Sequence, residues 1–273
     1  MSNSSSTGRS SDSGETIDRR TFLLWSGGAV ATRAVLAREP VLGRRVLVAP
    51  DPGRLATRFH KPGADAGLFP PGEHILETNA DRRSILFIPQ GYDATRPAPF
   101  YLALHGATGS GDSMLRGSRS AAAAHGVIVL SPSSREFSWD AIRGDYAEDL
   151  ARIDKLVNQV FDRCAIDSRR VAIAGFSDGA TYALSVGLLN GDLFTHVIAH
   201  SPGFIVSGGT PRGKPRVFIS HGRQDTILPF DQCGRRLATQ LERDGYRVRF
   251  DAFDGGHAAT PAMRETAMSW FVG

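Results

Sequence analysis

Five consecutive residues, Gly175-Phe176-Ser177-Asp178-Gly179, narrow the folds open to this chain more than any other stretch. They follow a short apolar run, Val171-Ala172-Ile173-Ala174, and lead into Ala180-Thr181-Tyr182-Ala183-Leu184-Ser185-Val186, which reads as a helix. A strand that becomes a helix within so few residues must turn sharply. Large side chains on either side of the serine would collide in such a turn, and glycines remove the collision. The Ser177 hydroxyl is then expected to stand exposed above a sheet.

Strand and helix signals alternate around this turn. Residues 73–78 and 83–89 read as paired strands that open a sheet. Phe100-Tyr101-Leu102-Ala103-Leu104 is a continuous apolar run, as expected for a central strand covered on both faces. Residues 112–124 read as a helix and Val127-Ile128-Val129-Leu130 as the next strand. Residues 146–163 carry Leu150, Ile153, Leu156, Val157, Val160 and Phe161 at helical spacing. Strands at 195–199, 216–220 and 247–252, with helices at 231–243 and 261–271, complete the series. This alternation predicts an α/β domain over residues 71–273, with a mostly parallel central sheet and helices on both faces. Ligands of such sheets bind beyond the carboxyl ends of the strands. A G-x-S-x-G in this setting resembles the nucleophile elbow of the α/β-hydrolase fold, the fold class expected here.

A serine hydroxyl is a weak nucleophile. It needs a base within hydrogen-bond reach, and the base needs an orienting carboxylate. In this fold the acid and then the histidine follow the serine along the chain. Asp225, after the strand at 216–220, and His257, after the strand at 247–252, supply that order. Asp231, Asp251 and Asp254 are rivals for the acid. Asp231 suits a helix N-cap, Asp251 a strand end, and Asp254 a turn with its glycines. Among the other histidines, His60 precedes the domain and His125 lies in a surface connection. His196 and His200 flank an apolar strand, and His221 sits beside the acid, where it can shape that loop. The oxyanion needs two fixed N–H donors. One is the amide of Asp178, and the other is expected from His105-Gly106-Ala107-Thr108-Gly109, with Ala107 the natural donor. His105 is read as bracing that loop. The Asp178 carboxylate suits the start of a helix. Trp139 and Phe204 lie on loops after strands, as candidates either for lining an acyl pocket or for core packing.

The head of the chain is of another kind. Residues 1–14 are rich in serine and glycine and read as disordered. Arg19-Arg20-Thr21-Phe22-Leu23 then resembles a twin-arginine export signal, and Val35-Leu36-Ala37 offers a small residue for cleavage. The alternative is a surface amphipathic helix in a cytoplasmic protein. The apolar stretch is interrupted by Arg33 and too short to span a membrane. Residues 38–70, rich in Pro, Gly and Arg, read as a linker, with Val46-Leu47-Val48 a candidate short strand. Residues 1–61 hold ten Arg/Lys against five Asp/Glu, so the basic excess of the chain lies in the head. The remainder is close to neutral, which removes the electrostatic support for nucleic-acid binding. Cys164 and Cys233 lack metal-ligand spacing. They read as buried free thiols, with a disulfide between them open only to an exported protein.

His105-Gly106, Ser138-Trp139-Asp140, Gly175-Phe176-Ser177-Asp178-Gly179, His221-Gly222-Arg223-Gln224-Asp225 and Gly255-Gly256-His257 together resemble the bacterial phospholipase/carboxylesterase family of serine esterases. That group borders the polyhydroxybutyrate depolymerase-like and feruloyl-esterase-like proteins. The resemblance covers about residues 72–272 and includes Ser201-Pro202-Gly203 and Leu228-Pro229. It implies a cofactor-free hydrolase of carboxylic esters, with Ser177, Asp225 and His257 as the triad. No metal site is expected, and a small or medium acyl ester is the expected substrate. A peptidase or amidase on the same triad, and a binding protein that kept the fold without the activity, are the alternatives.

Overall fold

The computed structural model describes residues 51–63, 67–79 and 82–273. The serine-rich head, the twin-arginine stretch and Val46-Leu47-Val48 lie outside the described residues. The chain runs β1 (Gly72–Asn79), β2 (Arg82–Ile88), β3 (Ala98–Leu104), α1 (Gly111–Ala124), β4 (Ile128–Ser131), α2 (Asp140–Arg143), α3 (Glu148–Arg163) and β5 (Ile166–Phe176). It continues through α4 (Asp178–Leu189), β6 (His196–His200), β7 (Arg216–Gly222), α5 (Gly234–Arg243), β8 (Val248–Phe253) and α6 (Pro261–Val272). No helix among the described residues is long and apolar enough to cross a membrane.

Among the described residues the strands form one eight-stranded sheet in the order β1-β2-β4-β3-β5-β6-β7-β8. The pairs β1/β2 and β2/β4 are antiparallel, and every later pair is parallel. This is the α/β-hydrolase fold, as the alternation of signals predicts. The chain leaves β3 toward β4 on one side, then returns past β3 to β5 on the other. That reversal opens a crevice beyond the carboxyl ends of β3 and β5, where such sheets bind ligands. The loop 105–109 and Ser177 both emerge there.

Successive residues of the central strands serve opposite faces. Phe100, Leu102, Leu104, Val171 and Ile173 pack with Ile153 and Val157 of α3, Ala183 of α4 and Leu237 of α5. Tyr101, Ala103, Ala172 and Ala174 pack with Met114 and Leu115 of α1 and with Ala267 and Phe271 of α6. All twelve residues of α4 are buried. A helix buried all round needs cover on its outer side, and the stretch read as a linker supplies part of it. Residues 51–63 contain no helix or strand, yet they are docked. Arg54 donates to Leu189 O at 2.6 Å, and Leu55 N donates to the Asn190 side chain at 2.9 Å. Asn190 in turn donates to Gly53 O at 2.8 Å, and Thr57 N donates to Asp154 at 2.8 Å. Leu55 and Phe69 are buried in the main core. The packed domain therefore begins before residue 71, because these side chains satisfy a backbone that has no ladder of its own.

Two helix starts differ from the sequence reading. The helix expected from residue 146 begins at Glu148, after the separate turn α2. Its cap comes from seven to nine residues upstream: Asp140 Oδ2 accepts from Ala147 N and Asp149 N at 2.9 and 2.8 Å. The helix expected from residue 231 begins at Gly234, and Asp231 does not cap it. A turn through Pro229, whose carbonyl accepts from Gln232 N and Cys233 N, delays the helix. The Asp231 side chain points outward to Arg235 at 2.9 Å. Cys164 and Cys233 are both buried and free, and burial pushes the Cys164 thiol up to about 12.

Candidate active site

The turn after β5 brings backbone closer than any side chain tolerates. A Cβ at Gly175 would lie 2.1 Å from Gly179 O, and one at Gly179 would lie 2.3 Å from Leu104 O. Ser177 itself takes φ 55 and ψ −119, a left-handed backbone that costs about 1–3 kcal/mol in a residue with a side chain. The surroundings hold it there. Ser177 N donates to His200 O at 2.9 Å, while Ser177 O accepts from Ala180 N and Thr181 N at the start of α4. Ser177 is 8% exposed, with its hydroxyl on the side of the acid and base loops.

His257 lies in the loop after β8. Its Nε2 is 2.8 Å from Ser177 Oγ and its Nδ1 is 2.7 Å from Asp225 Oδ2. An ionised carboxylate only accepts, so the proton sits on Nδ1 and the Ser177 hydroxyl donates to Nε2. The Phe176 ring packs 4.9 Å from the imidazole, centroid to centroid. Two backbone bonds clamp the loop after β8 onto the acid loop: Arg223 N to Phe253 O at 2.9 Å and Gln224 N to Gly255 O at 3.0 Å. Asp225 Oδ1 accepts from Ile227 N at 2.9 Å and Leu228 N at 2.8 Å. Burial pushes the Asp225 carboxyl up, but the bonds from His221, His257 and the Leu228 amide outweigh it and hold the group well below the usual carboxylate range. The rival carboxylates stay on the surface with arginines: Asp231 with Arg235, Asp251 with Arg249 and Asp254 with Arg223.

Ala107 sits in the loop after β3, at the crevice. Neither the Ala107 nor the Asp178 amide donates to an acceptor among the described residues. Thr108, at φ 62, donates its amide to Phe137 O at 2.6 Å. Trp139 Nε1 donates to His105 O at 2.9 Å, and the Ser138 hydroxyl donates to the Asp178 carboxylate. Residues 137–139 therefore join the elbow to the loop after β3. Their role was not legible locally, because the bonded partners lie about thirty to forty positions away. Burial pushes the Asp178 carboxyl up, against the opposing pull of Ser138 and the nearby His257.

His105 braces its loop from within. Ser134 N donates to its Nε2 at 3.0 Å, and its Nδ1 donates to Gly106 O at 2.7 Å. Burial lowers its pKa to about 4, so the ring is neutral. Arg82 adds bonds to Gly109 O and Ser134 O beneath the same loop. Trp139 is fully buried, stacked on Tyr182 with ring centroids 5.3 Å apart. It belongs to the core, because its indole N–H finds its acceptor inward at His105 O. Phe204 is 40% exposed on the loop after β6. Phe137, which the sequence reading did not single out as a pocket residue, is 49% exposed beside the loop after β3. Of the remaining histidines, His60 pairs with Asp162 and His125 with Glu265 at the surface. His196 and His200 are buried, and desolvation lowers them to about 4 and about 3.

The profile of the phospholipase/carboxylesterase family matches residues 135–271. The chain is similar to a probable feruloyl esterase C of Aspergillus oryzae, with 28% identity over 214 residues, covering 66% of this chain and 78% of that protein. Among solved structures, an S-formylglutathione hydrolase from Staphylococcus aureus superposes with a TM-score of 0.58 at 16% identity, covering 74% of this chain and 99% of that one. The Bacillus cereus carboxylesterase superposes with a TM-score of 0.53 at 21% identity, covering 71% and 94%.

Proposed function

Because the chain belongs to the phospholipase/carboxylesterase family and is an ester hydrolase, we propose that it cleaves carboxylic esters through a serine acyl-enzyme. The observation that carries this is the unbroken relay from Ser177 Oγ through His257 to Asp225, with bonds of 2.8 and 2.7 Å. His257 takes the proton from Ser177 as its oxygen attacks the ester carbonyl. The carbonyl oxygen becomes an oxyanion, and the amides of Ala107 and Asp178 donate to it. Asp225 holds the imidazole in its Nδ1–H form and stabilises the imidazolium. His257 then gives its proton to the leaving alcohol, and the acyl group stays on Ser177. Water then attacks the acyl carbonyl as His257 takes its proton, the bond to Ser177 Oγ breaks to release the acid, and His257 returns the proton to Ser177.

Two features bear on the substrate. The relatives named feruloyl esterase C support an aryl-substituted acyl group as one to try. Phe137 and Phe204 are exposed aromatic rings on loops leaving the carboxyl ends of β4 and β6, suited to flank a small or medium acyl chain. The test is a panel of p-nitrophenyl esters from acetate upward, with a hydroxycinnamate ester beside them. Ser177→Ala is expected to lower kcat by about 10⁶ and to lose labelling by a fluorophosphonate. Equal turnover by wild type and Ser177→Ala across the panel ends the proposal.

A further inference from the structure

Asp225 has a second histidine on it. His221, next to last in β7, is fully buried. Its Nε2 lies 2.8 Å from Leu228 O and 3.3 Å from Asp225 Oδ2, the oxygen that His257 also uses. A carbonyl and an ionised carboxylate both only accept, so Nε2 must carry the hydrogen. The other nitrogen, Nδ1, is buried with no partner among the described residues. It faces Gly234 at the start of α5, where a Cβ would lie 2.4 Å away. A hydrogen on Nδ1 would point at that backbone with nothing to accept it. The packing thus fixes both the ring position and its tautomer.

We infer that His221 is a positioning residue for the triad: its Nε2–H, bonded to Leu228 O and 3.3 Å from Asp225 Oδ2, holds the turn and the carboxylate that aims His257 at Ser177. The donors around the carboxylate support this. Oδ1 takes two amides, and Oδ2 takes His257 with His221 beside it. A carboxylate has about four acceptor positions, so the group has no spare direction in which to rotate. His221 also ties down Leu228 O, in the turn whose amides serve Oδ1. One ring therefore acts on both carboxylate oxygens. The other titratable neighbour is Cys233, whose thiol burial pushes up and thereby keeps neutral. Phe230 closes the remaining side, its ring centroid 6.0 Å from that of His221. His221 can act in this way only if Ser177, His257 and Asp225 carry the reaction, which wild type against Ser177→Ala tests separately.

The experiment compares His221→Gln with His221→Asn. The glutamine amide nitrogen reaches the place of Nε2, whereas that of asparagine reaches only the place of Nδ1. Both variants remove the ring and leave a similar polar group, so general damage is shared. On p-nitrophenyl acetate, His221→Asn is expected to lose about ten- to a hundredfold in kcat with KM little changed, less than the roughly 10⁴ attached to the acid itself. His221→Gln is expected to return most of that loss. In His221→Asn alone the acid limb of kcat/KM moves to higher pH, because a carboxylate with one donor fewer holds the imidazole proton more tightly. Equal losses in the two variants, following their melting temperatures with the acid limb unmoved, overturn the inference. Equal turnover by wild type and Ser177→Ala overturns the triad itself, a pattern distinct from an active wild type with two equally impaired variants. Should neither variant fold, nitrogen-15 spectra of the wild-type histidines decide. Hydrogen on Nε2 of His221 with a bare Nδ1 supports the inference, and hydrogen on Nδ1 overturns it.

Discussion

Ser177 and His257 meet across 2.8 Å, but the chain holds each by different means. Ser177 leaves β5, which has parallel neighbours on both sides, and enters α4, which is buried throughout. Its place follows from close backbone approach at Gly175 and Gly179. His257 follows β8, the last strand of the sheet, whose residues are only partly buried or exposed. Its ring is aimed by a hydrogen bond to Asp225, and Asp225 is held by further bonds from Ile227 N and Leu228 N, with His221 Nε2 3.3 Å from the oxygen that His257 uses. One half of the site is set by steric exclusion and the other by a count of donors. An added methyl group should therefore break the first, and a lost acceptor the second.

Of the changes that separate the two halves, the largest expected effect tests the donor-counted one. Asp225→Asn replaces one of two accepting oxygens with an N–H₂, so the imidazole can no longer be held in its working tautomer. We expect kcat to fall by about 10⁴ while the fold survives, read from turnover together with circular dichroism. A loss below tenfold would mean that Asp225 does not orient His257. Next comes the sterically set half. Gly179→Ala puts a Cβ 2.3 Å from Leu104 O, a backbone atom in the centre of the sheet. A cost above about 4 kcal/mol is expected, seen as insoluble or unfolded protein, whereas a stable Gly179→Ala would sink the steric account.

The smallest effect separates the two halves by the sign of a pH dependence. Burial raises the pKa of Asp178, so its penalty is absent below the unfolded value of 3.8 and is complete once the pH has risen through the folded value. Asp178→Asn removes that penalty. Its melting temperature relative to wild type should climb between pH 4 and pH 7. The pKa of Asp225 is lowered instead. Its contribution is present above the ordinary carboxylate range and is lost as the pH falls toward its folded value. Asp225→Asn should therefore cost more stability at pH 7 than at pH 3. Parallel slopes for the two variants would contradict the opposite electrostatics of the two halves.

The same division explains what could be read in advance. The strand–turn–helix around Ser177 was legible because its sterics involve neighbours in sequence. The strands that carry Asp225 and His257 were legible from apolar runs, and their order followed from the fold. Trp139 was not, since an aromatic ring on a loop faces inward or outward according to where its N–H finds an acceptor, here 34 positions away. Asp231 reads locally as a helix cap, but the turn on Pro229 moves the helix start past it. Residues 51–63 have no periodicity to read, because side chains of Asp154 and Asn190 satisfy their backbone.

The sequence by itself determined the sheet of alternating strands and helices, the sharp turn at Ser177, and the succession of serine, acid and histidine. Those properties depend on patterning and on the bulk of adjacent residues, which a chain carries before it folds. Only the tertiary structure decided that residues 137–139 join the elbow to the loop after β3, that residues 51–63 cover α4, and that His221 bonds Leu228 O beside the carboxylate oxygen that His257 uses. Each of these is a hydrogen bond or a burial whose outcome depends on how segments from different parts of the sheet come to rest against one another.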